Sequence, residues 1–147
     1  PRGEATFKAD FVITTEAAWL KSSTIHDLQS TITAFLPASW LSETQLRIAA
    51  YRELSEAGSE KAVDALEQSW RDRFGRLPAA AAHLLHIARI KALAAAENIS
   101  SVEIQGQRLM LHRNGDYILL EGRRFPRLKA ASSTGKLTET IEMLRAF

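Results

Sequence analysis

The sequence predicts a single α+β domain, in which a mainly helical half with a helix-turn-helix corner packs with a small antiparallel β-meander and a C-terminal helix. Apolar side chains recur at helical spacing between residues 42 and 97. Three short strand-like runs follow, and Asn114-Gly115 before the last of them is a strong type I′ hairpin pattern. Helical spacing then returns near the end of the chain. Helices and strands are thus segregated rather than alternating.

The composition is that of an ordinary folded domain. The chain has 147 residues, 46% hydrophobic and 24% charged, with a formal net charge of +2. So small a charge does not select a partner. The lack of cysteine excludes disulfides, thiolate metal clusters and a cysteine nucleophile. Because no apolar run approaches the ~20 residues that span a bilayer and no signal peptide leads the chain, we expect a cytoplasmic location and no membrane partner.

The first 35 residues contain one clear pattern. Residues 5–13 alternate apolar and polar side chains, which predicts one half-buried strand. Its apolar positions are Phe7, Ala9, Phe11 and Ile13. From Thr14 to Phe35 helix-favouring and β-branched runs conflict, so the sequence leaves this stretch open.

Two helices are predicted next. Ser42 followed by Gln45 matches a capping box, from which a first helix runs to about Ala57 and stops at Gly58. Ser59 can then cap a second helix. The apolar stripe of that helix comprises Val63, Leu66, Trp70 and Phe74. We expect this stripe to face the core.

The segment RDRFGRLP, residues 71–78, predicts a corner between two helices. Gly75 can adopt the left-handed conformation that ends a helix at low cost. Pro78 suits the first turn of the next helix, where its missing N–H is no loss. The third helix, residues 78–97, is rich in alanine, and Asn98 suits its C-cap.

The second half predicts a meander followed by a helix. The strand-like runs are SVEIQ, RLMLH and DYILLE, separated by Gly106 and by Asn114-Gly115. Residues 131–135, ASSTG, predict a flexible loop. Apolar residues at helical spacing then indicate the closing helix, namely Leu137, Ile141, Leu144 and Phe147.

The sequence contains no complete catalytic or cofactor motif. STGK, ending at Lys136, lacks the earlier glycine and the following Ser or Thr of a phosphate-binding loop. His83 and His86 lie three residues apart on a predicted helix, but no third metal ligand stands at a recognisable spacing. We therefore expect no enzyme activity and no cofactor in this segment. An acid–base pair assembled only by the fold stays open.

The corner provides a first candidate interaction site. If the apolar stripe points inward, Ser69, Asp72 and Arg73 form one outward patch at i, i+3 and i+4. The helix dipole favours Arg73 at this end and disfavours Asp72. An exposed carboxylate at an unfavourable position suggests an interaction patch, and a local surface pair between Asp72 and Arg73 is an equally good interpretation.

The meander provides a second candidate site, for nucleic acid. Tyr117 and Phe125 are interleaved with a basic run that only Asp116 and Glu121 oppose. The basic residues are Arg108, Arg113, Arg123, Arg124, Arg127 and Lys129. A basic sheet that bears aromatic residues can hold phosphates and stack bases. An ordinary solvated hairpin face is the favoured alternative.

Several segments match one family in order and spacing. They are FLPASWL, Arg47, YREL at 51–54, RDRFGRLP, LLHIARIKALA and the strand with Ile99, Val102 and Ile104. Together they resemble the C-terminal domain of the bacterial transcription-repair coupling factor. The likeness is specific from about Leu36 to Ile104. We expect one domain, 1–147, with a poorly matched leading segment (1–34), a mainly helical part (35–98) and the meander with its terminal helix (99–147).

The resemblance implies a non-catalytic regulatory domain of a larger protein. In that family the whole protein is an ATP-driven DNA translocase that dislodges stalled RNA polymerase and recruits UvrA. Its C-terminal domain packs on the N-terminal UvrB-like module and hides the UvrA-binding surface until the motor engages. The absence of an initiator methionine and of a Walker motif is what we expect of such a piece.

The resemblance also implies which residues make that contact. The family's E-x-x-D-R-F-G run is implicated in it, which corresponds here to Asp72 and Arg73. Ser69 stands where the family has its leading glutamate. We therefore expect an electrostatic contact that is weaker, or that Glu67 or Gln68 supplements.

Overall fold

The computed structural model describes residues 5–9, 11–14 and 27–147. The strands in these ranges are β1 (Thr6–Ala9), β2 (Phe11–Thr14), β3 (Asp27–Thr33), β4 (Ile99–Gln105), β5 (Arg108–Arg113) and β6 (Asp116–Tyr117). The helices are α1 (Thr44–Glu56), α2 (Glu60–Phe74), α3 (Ala79–Ala96) and α4 (Ser133–Arg145). Three helices precede the meander and one follows it, so the predicted α+β class is confirmed.

The predicted meander forms and gains one strand. β4, β5 and β6 pair antiparallel in sequence order, and β1 pairs parallel to β4, with Phe7 opposite Val102. β2 and β3 form a separate two-stranded parallel sheet. The single strand predicted over residues 5–13 is therefore wrong. Alternation reports which face of a strand is buried and does not reveal its neighbour, so it could not show that two strands join different sheets.

Two parts of the N-terminal predictions fall outside the described residues. Asp10, between β1 and β2, is one of them. Residues 15–26 are the other, and they belong to the stretch that the sequence left open. The rest of that stretch contributes β3.

Helix α3 lies at the centre of the fold. It contacts the other three helices as well as β1, β3 and β4. Its fully buried residues include Leu84, Leu85, Ile87 and Ile90. By length and composition α3 could cross a membrane, which the sequence analysis did not expect of any run, but 56% of it is buried inside this chain. Such burial is typical of a core helix.

The structure confirms the predicted serine cap of α2, the glycine that ends this helix and the Asn-Gly turn. Ser59 Oγ accepts a hydrogen bond from Ala62 N at 3.1 Å and caps α2. Gly75, the C-cap of α2, has φ of +86°. The C-cap of α3 is Glu97 rather than the predicted Asn98, which follows it with φ of +59°. Positive φ at both central residues of the Asn114-Gly115 turn agrees with type I′ geometry.

The start of α1 differs from the prediction. Glu43 is the N-cap residue, and no side chain caps the first amides, so the capping box of Ser42 and Gln45 is wrong. Arg47 Nη1 instead donates to the carbonyl oxygens of Leu41 and Ser42, at 2.9 and 3.1 Å. These bonds hold the segment before the helix in place without the reciprocal side-chain cap.

The C-terminal half holds two further differences. DYILLE forms only the two-residue β6, because the chain turns back at Leu120. Residues 131–135 are not a loop throughout, since Ser132 Oγ accepts from Gly135 N at 3.0 Å and caps α4. Ser followed by small polar residues is typical of a loop and also of a helix start. Leu137, Ile141 and Leu144 are buried as predicted, whereas Phe147 is exposed.

Candidate functional site

Aromatic packing fixes the end of α2, where the predicted patch lies. Trp70 is fully buried. Trp40 packs edge-on against Trp70 and against Phe74, with ring centroids 6.2 and 5.5 Å apart. Edge-to-face pairs at such distances are favourable beyond the area that they bury. The inner side of the corner is therefore tied to the core.

The corner surface, defined here as Ser69, Asp72 and Arg73, lies on the outward side of α2. Asp72 and Arg73 are exposed, and Ser69 is half-buried. Asp72 Oδ1 accepts from Gln68 Nε2 at 3.0 Å, and the Arg73 guanidinium lies 4.6 Å from the centroid of the Phe74 ring. Across residues 27–147 no ion pair joins Asp72 to Arg73. Both charges are therefore available to an external partner.

The two residues expected to supplement Ser69 are already engaged. Glu67 binds Arg71 at 2.9 Å and Arg89 at 2.5 Å. Gln68 donates to Asp72. Beyond Asp72, a further negative charge beside Ser69 would therefore require the ion pairs of Glu67 to rearrange.

A buried arginine that no sequence pattern predicted joins α2 to α3. Arg89 is only 9% exposed. Its Nε and Nη2 donate to Asp64 Oδ1 at 3.0 and 2.9 Å, and Nη2 also donates to Glu67 Oε1. A buried guanidinium is costly unless it is paired. The pattern that could have revealed it is an arginine inside the otherwise apolar run LLHIARI.

The Glu67 carboxyl is tuned by these contacts. Burial alone would raise its pKa, but hydrogen bonds from Arg89 and Arg71 outweigh that effect and hold the pKa below its ordinary value. Glu67 is therefore ionised at neutral pH. Its charge serves the pairing of α2 with α3.

Two residues of the matched motifs have structural contacts. Arg47 binds the carbonyls before α1, and the Tyr51 hydroxyl accepts from Leu36 N at 2.8 Å. These three hydrogen bonds hold the end of the FLPASWL segment and its Leu36 against α1. The same segment places Trp40 against the end of α2.

The meander surface is defined here by an outward aromatic and basic group. Its members are Arg108, Tyr117, Arg123, Arg124, Phe125 and Arg127. Tyr117 packs edge-on against Phe125 and against His112, each at 5.3 Å between centroids. The Arg108 guanidinium lies 5.3 Å from the Phe125 ring centroid. Arg108 and Arg127 are paired across an antiparallel bridge, so the fold brings these groups together.

A tight turn carries the other two arginines of the meander surface. Leu120 N donates to Arg124 O at 2.6 Å, and Arg123 N donates to Leu120 O at 3.0 Å. Glu121 and Gly122 at the tip have φ of +54° and +69°. Arg123 and Arg124 are exposed on this turn, beside exposed Leu120.

Arg113, the remaining candidate for nucleic acid, is directed elsewhere. It is half-buried at the end of β5, and its Nη1 donates to the carbonyl oxygen of Glu97 at 3.4 Å. Glu97 is the C-cap of α3. A cation is favourable at the C-terminal end of a helix, which gives Arg113 a structural role.

The histidines and the STGK segment do not form a recognisable site. His83 Nε2 lies 2.9 Å from Thr134 Oγ1. Burial first, and then Arg89 and His83, lower the pKa of His86. Lys136 is buried in the first turn of α4. Among the residues that the structure describes, no group of three His, Asp or Glu side chains could hold a metal ion.

Comparison with known proteins decides the family. A family model described as the TRCF domain matches residues 30–117, more than half of the chain. The chain belongs to the TRCF domain family. Both surfaces of this TRCF domain contain matched residues, since the match includes the corner and ends at Tyr117.

Curated relatives of this TRCF domain are transcription-repair-coupling factors. One from Rickettsia prowazekii is 29% identical over 99 residues, covering 66% of this chain and 9% of the relative. One from Mycobacterium tuberculosis is 34% identical over 71 residues, covering 48% of this chain and 6% of the relative. The chain thus spans less than a tenth of the length of these relatives.

A solved structure supports the fold. The crystal structure of the C-terminal domain of a transcription-repair coupling factor superposes with a TM-score of 0.53 at 20% identity. The match covers 77% of this chain and 58% of that chain. The sequence-based resemblance to this domain is confirmed.

Proposed function

We propose that this TRCF domain is a regulatory clamp, which holds the N-terminal UvrB-like module of its parent protein through the corner surface. In the resting state the clamp would hide the surface that UvrA must reach. It would release when the motor of the parent, a DNA translocase, engages stalled RNA polymerase. The domain's own contribution would be a binding energy that differs between the two states, with no catalytic step.

One observation carries this proposal. Asp72 and Arg73 are neighbouring, exposed and not paired with each other, on a helix end that Trp40 and Trp70 tie to the core. A patch fixed in position, with one charge of each sign, gives orientation and specificity to an interface more than raw affinity. These two residues also occupy the positions that the family resemblance assigns to the contact.

The proposal is tested by titrating the 147-residue chain into the UvrB-like module of the same parent. We expect Asp72→Ala and Arg73→Ala each to weaken binding about ten-fold, equivalent to about 1.4 kcal/mol. Arg52→Ala is the matched control, because Arg52 is exposed on α1, away from the corner surface. An equal loss in the control would contradict a site at the corner.

A substitution at Ser69 gives a second test, in which tighter rather than weaker binding is expected. Ser69→Glu restores a negative charge beside Asp72 and should tighten binding if the clamp uses this face. A charge reversal at Asp72 should be rescued by the reciprocal reversal of its partner on the UvrB-like module. Failure of the double reversal to restore contact would show that the residue assignment is wrong.

A further inference from the structure

We propose that the meander surface binds single-stranded nucleic acid, with Arg123, Arg124 and Arg127 holding phosphates and Tyr117 stacking a base. This function is separate from the clamp, since it uses none of the corner residues. Either one can fail without the other.

Unpaired positive charge supports the proposal. Four arginines of the meander surface are exposed, and none forms an ion pair within the described ranges: Arg108, Arg123, Arg124 and Arg127. Among the described residues, the arginines that do form ion pairs, Arg71, Arg89 and Arg145, bind carboxylates of α2. A cluster of free guanidinium groups suits phosphates, because each contact releases counterions and guanidinium matches phosphate geometry.

The aromatic residues supply the second requirement. Tyr117 is 46% exposed, and His112 and Phe125 each make a T-shaped contact with its ring. A ring held in this way can accept a base without first being ordered. Stacking on an aromatic ring tolerates any base sequence, since every base has a π-face.

The turn from Leu120 to Arg124 places charge beside this ring. Glu121 adopts φ of +54°, a conformation that side chains other than Gly, Asn and Asp seldom adopt. Non-glycine residues in such conformations cluster at binding sites. The strained turn holds Arg123 and Arg124 outward next to exposed Leu120, where a strand passing over Tyr117 would present its phosphates.

The combination favours a single strand over other anionic partners. A stacked base must be unpaired, which a duplex does not provide without opening. An acidic peptide would satisfy the arginines but would leave the exposed Tyr117 ring without a matching partner. A single strand uses both the charges and the ring.

The test is fluorescence anisotropy of a labelled oligothymidylate, about 12 nucleotides long, with the full 147-residue chain at ~50 to ~200 mM salt. The double variant Arg123→Gln/Arg124→Gln should weaken binding about ten-fold or more. It should also reduce the slope of log K against log salt by about 1.4, at about 0.7 per lost phosphate contact. The control Arg52→Gln/Lys61→Gln removes the same charge from exposed helix positions and should keep both values close to those of the unaltered chain.

The role of the Tyr117 ring is tested with separate variants. Tyr117→Ala should weaken binding several-fold, whereas Tyr117→Phe should retain it, because stacking needs the ring and not the hydroxyl. Circular dichroism of each variant checks that the fold is kept. Absence of salt-dependent binding, or an equal loss in the helix control, would overturn the proposal.

Two further ligands separate the alternatives. Tighter binding of a duplex of the same length, unaffected by Tyr117→Ala, would overturn the single-strand assignment. Binding of poly-glutamate without binding of the oligonucleotide would show that the surface serves an acidic protein. Weaker binding of both ligands than of oligothymidylate supports the proposal.

Discussion

Arg89 of α3 and Glu67 of α2 are joined by an ion pair of 2.5 Å, and Arg89 is only 9% exposed. Asp64, one turn before Glu67 on α2, accepts two further hydrogen bonds from the same guanidinium. This side chain therefore adds a polar contact between α2 and the central helix to the apolar packing of Val63, Leu66 and Trp70. Because the corner surface is at the end of α2, its position depends on this buried contact.

Replacing Arg89 should destabilise the domain more than replacing a surface arginine that binds the same carboxylate. Arg89→Met leaves half-buried Glu67 without its main partner and should lower the free energy of unfolding by about 2 kcal/mol. This loss is smaller than for a fully buried ion pair, because the carboxylates of Asp64 and Glu67 remain partly solvated. Urea denaturation measures this. Arg71→Met is the control, since Arg71 is exposed and its pair is worth about 0.5 kcal/mol. Equal losses would show that Arg89 contributes only as a surface charge.

His86 should make stability fall as the solution becomes mildly acidic. Burial, Arg89 and His83 lower its pKa from the ordinary 6.5. The unfolded chain therefore binds a proton at a higher pH than the folded chain, and stability decreases as pH falls through 6.5 toward the lowered value. His86 Nδ1 also has no hydrogen-bond partner among the described residues.

The measurement is urea denaturation of the unaltered chain and of His86→Leu at several pH values from about 7.5 to about 5. The variant should show a flatter dependence of stability on pH. This range lies above the ordinary 4.5 of Glu67, whose lowered pKa removes stability only under more acidic conditions. An unchanged slope in the variant would assign the pH dependence to another group.

Gly75 should be far less replaceable than Gly58, although both end helices of similar length. Gly75 combines φ of +86° with ψ of −158°, a region that is open almost only to glycine, so Gly75→Ala should cost about 1–3 kcal/mol. No atom lies within 4 Å of the added Cβ, so the cost would come from the backbone alone. Gly58→Ala meets one backbone oxygen at 4.0 Å and should change stability by less than about 1 kcal/mol. Thermal unfolding of the pair measures the difference.

The corner could be predicted closely because its determinants are local. A capping serine at 59, a glycine at 75 and a proline at 78 each specify backbone geometry through their own chemistry. The divided N-terminal strand could not be predicted, because pairing with β4 and β3 depends on contacts between residues distant in sequence. The Ser42–Gln45 cap was wrong for a local reason, since α1 begins one residue later than the pattern indicated, with Glu43 as its N-cap.

The same distinction between local and long-range determinants applies to the candidate sites. Helical periodicity was enough to predict that Asp72 and Arg73 are exposed near the end of α2. The basic run of the meander, however, gave no means of separating Arg113 from the other arginines. Its contact with Glu97 at the end of α3 arises only when β5 and α3 come together in the fold. Arg89 was missed because an arginine within a helix usually lies at the surface.

The turn at Glu121 offers a final prediction that links stability to binding. Glu121→Asn keeps the side chain polar and suits φ of +54° better, so it should raise the free energy of unfolding by about 0.5 kcal/mol. It also removes a negative charge next to Arg123, so it should tighten the binding of oligothymidylate. Asp116→Asn is the matched control: it removes an equal charge from β6, where φ is not positive. The control should tighten the binding of oligothymidylate without raising the free energy of unfolding. An equal rise in the free energy of unfolding in both variants would mean that charge, rather than backbone strain, sets the stability of this turn.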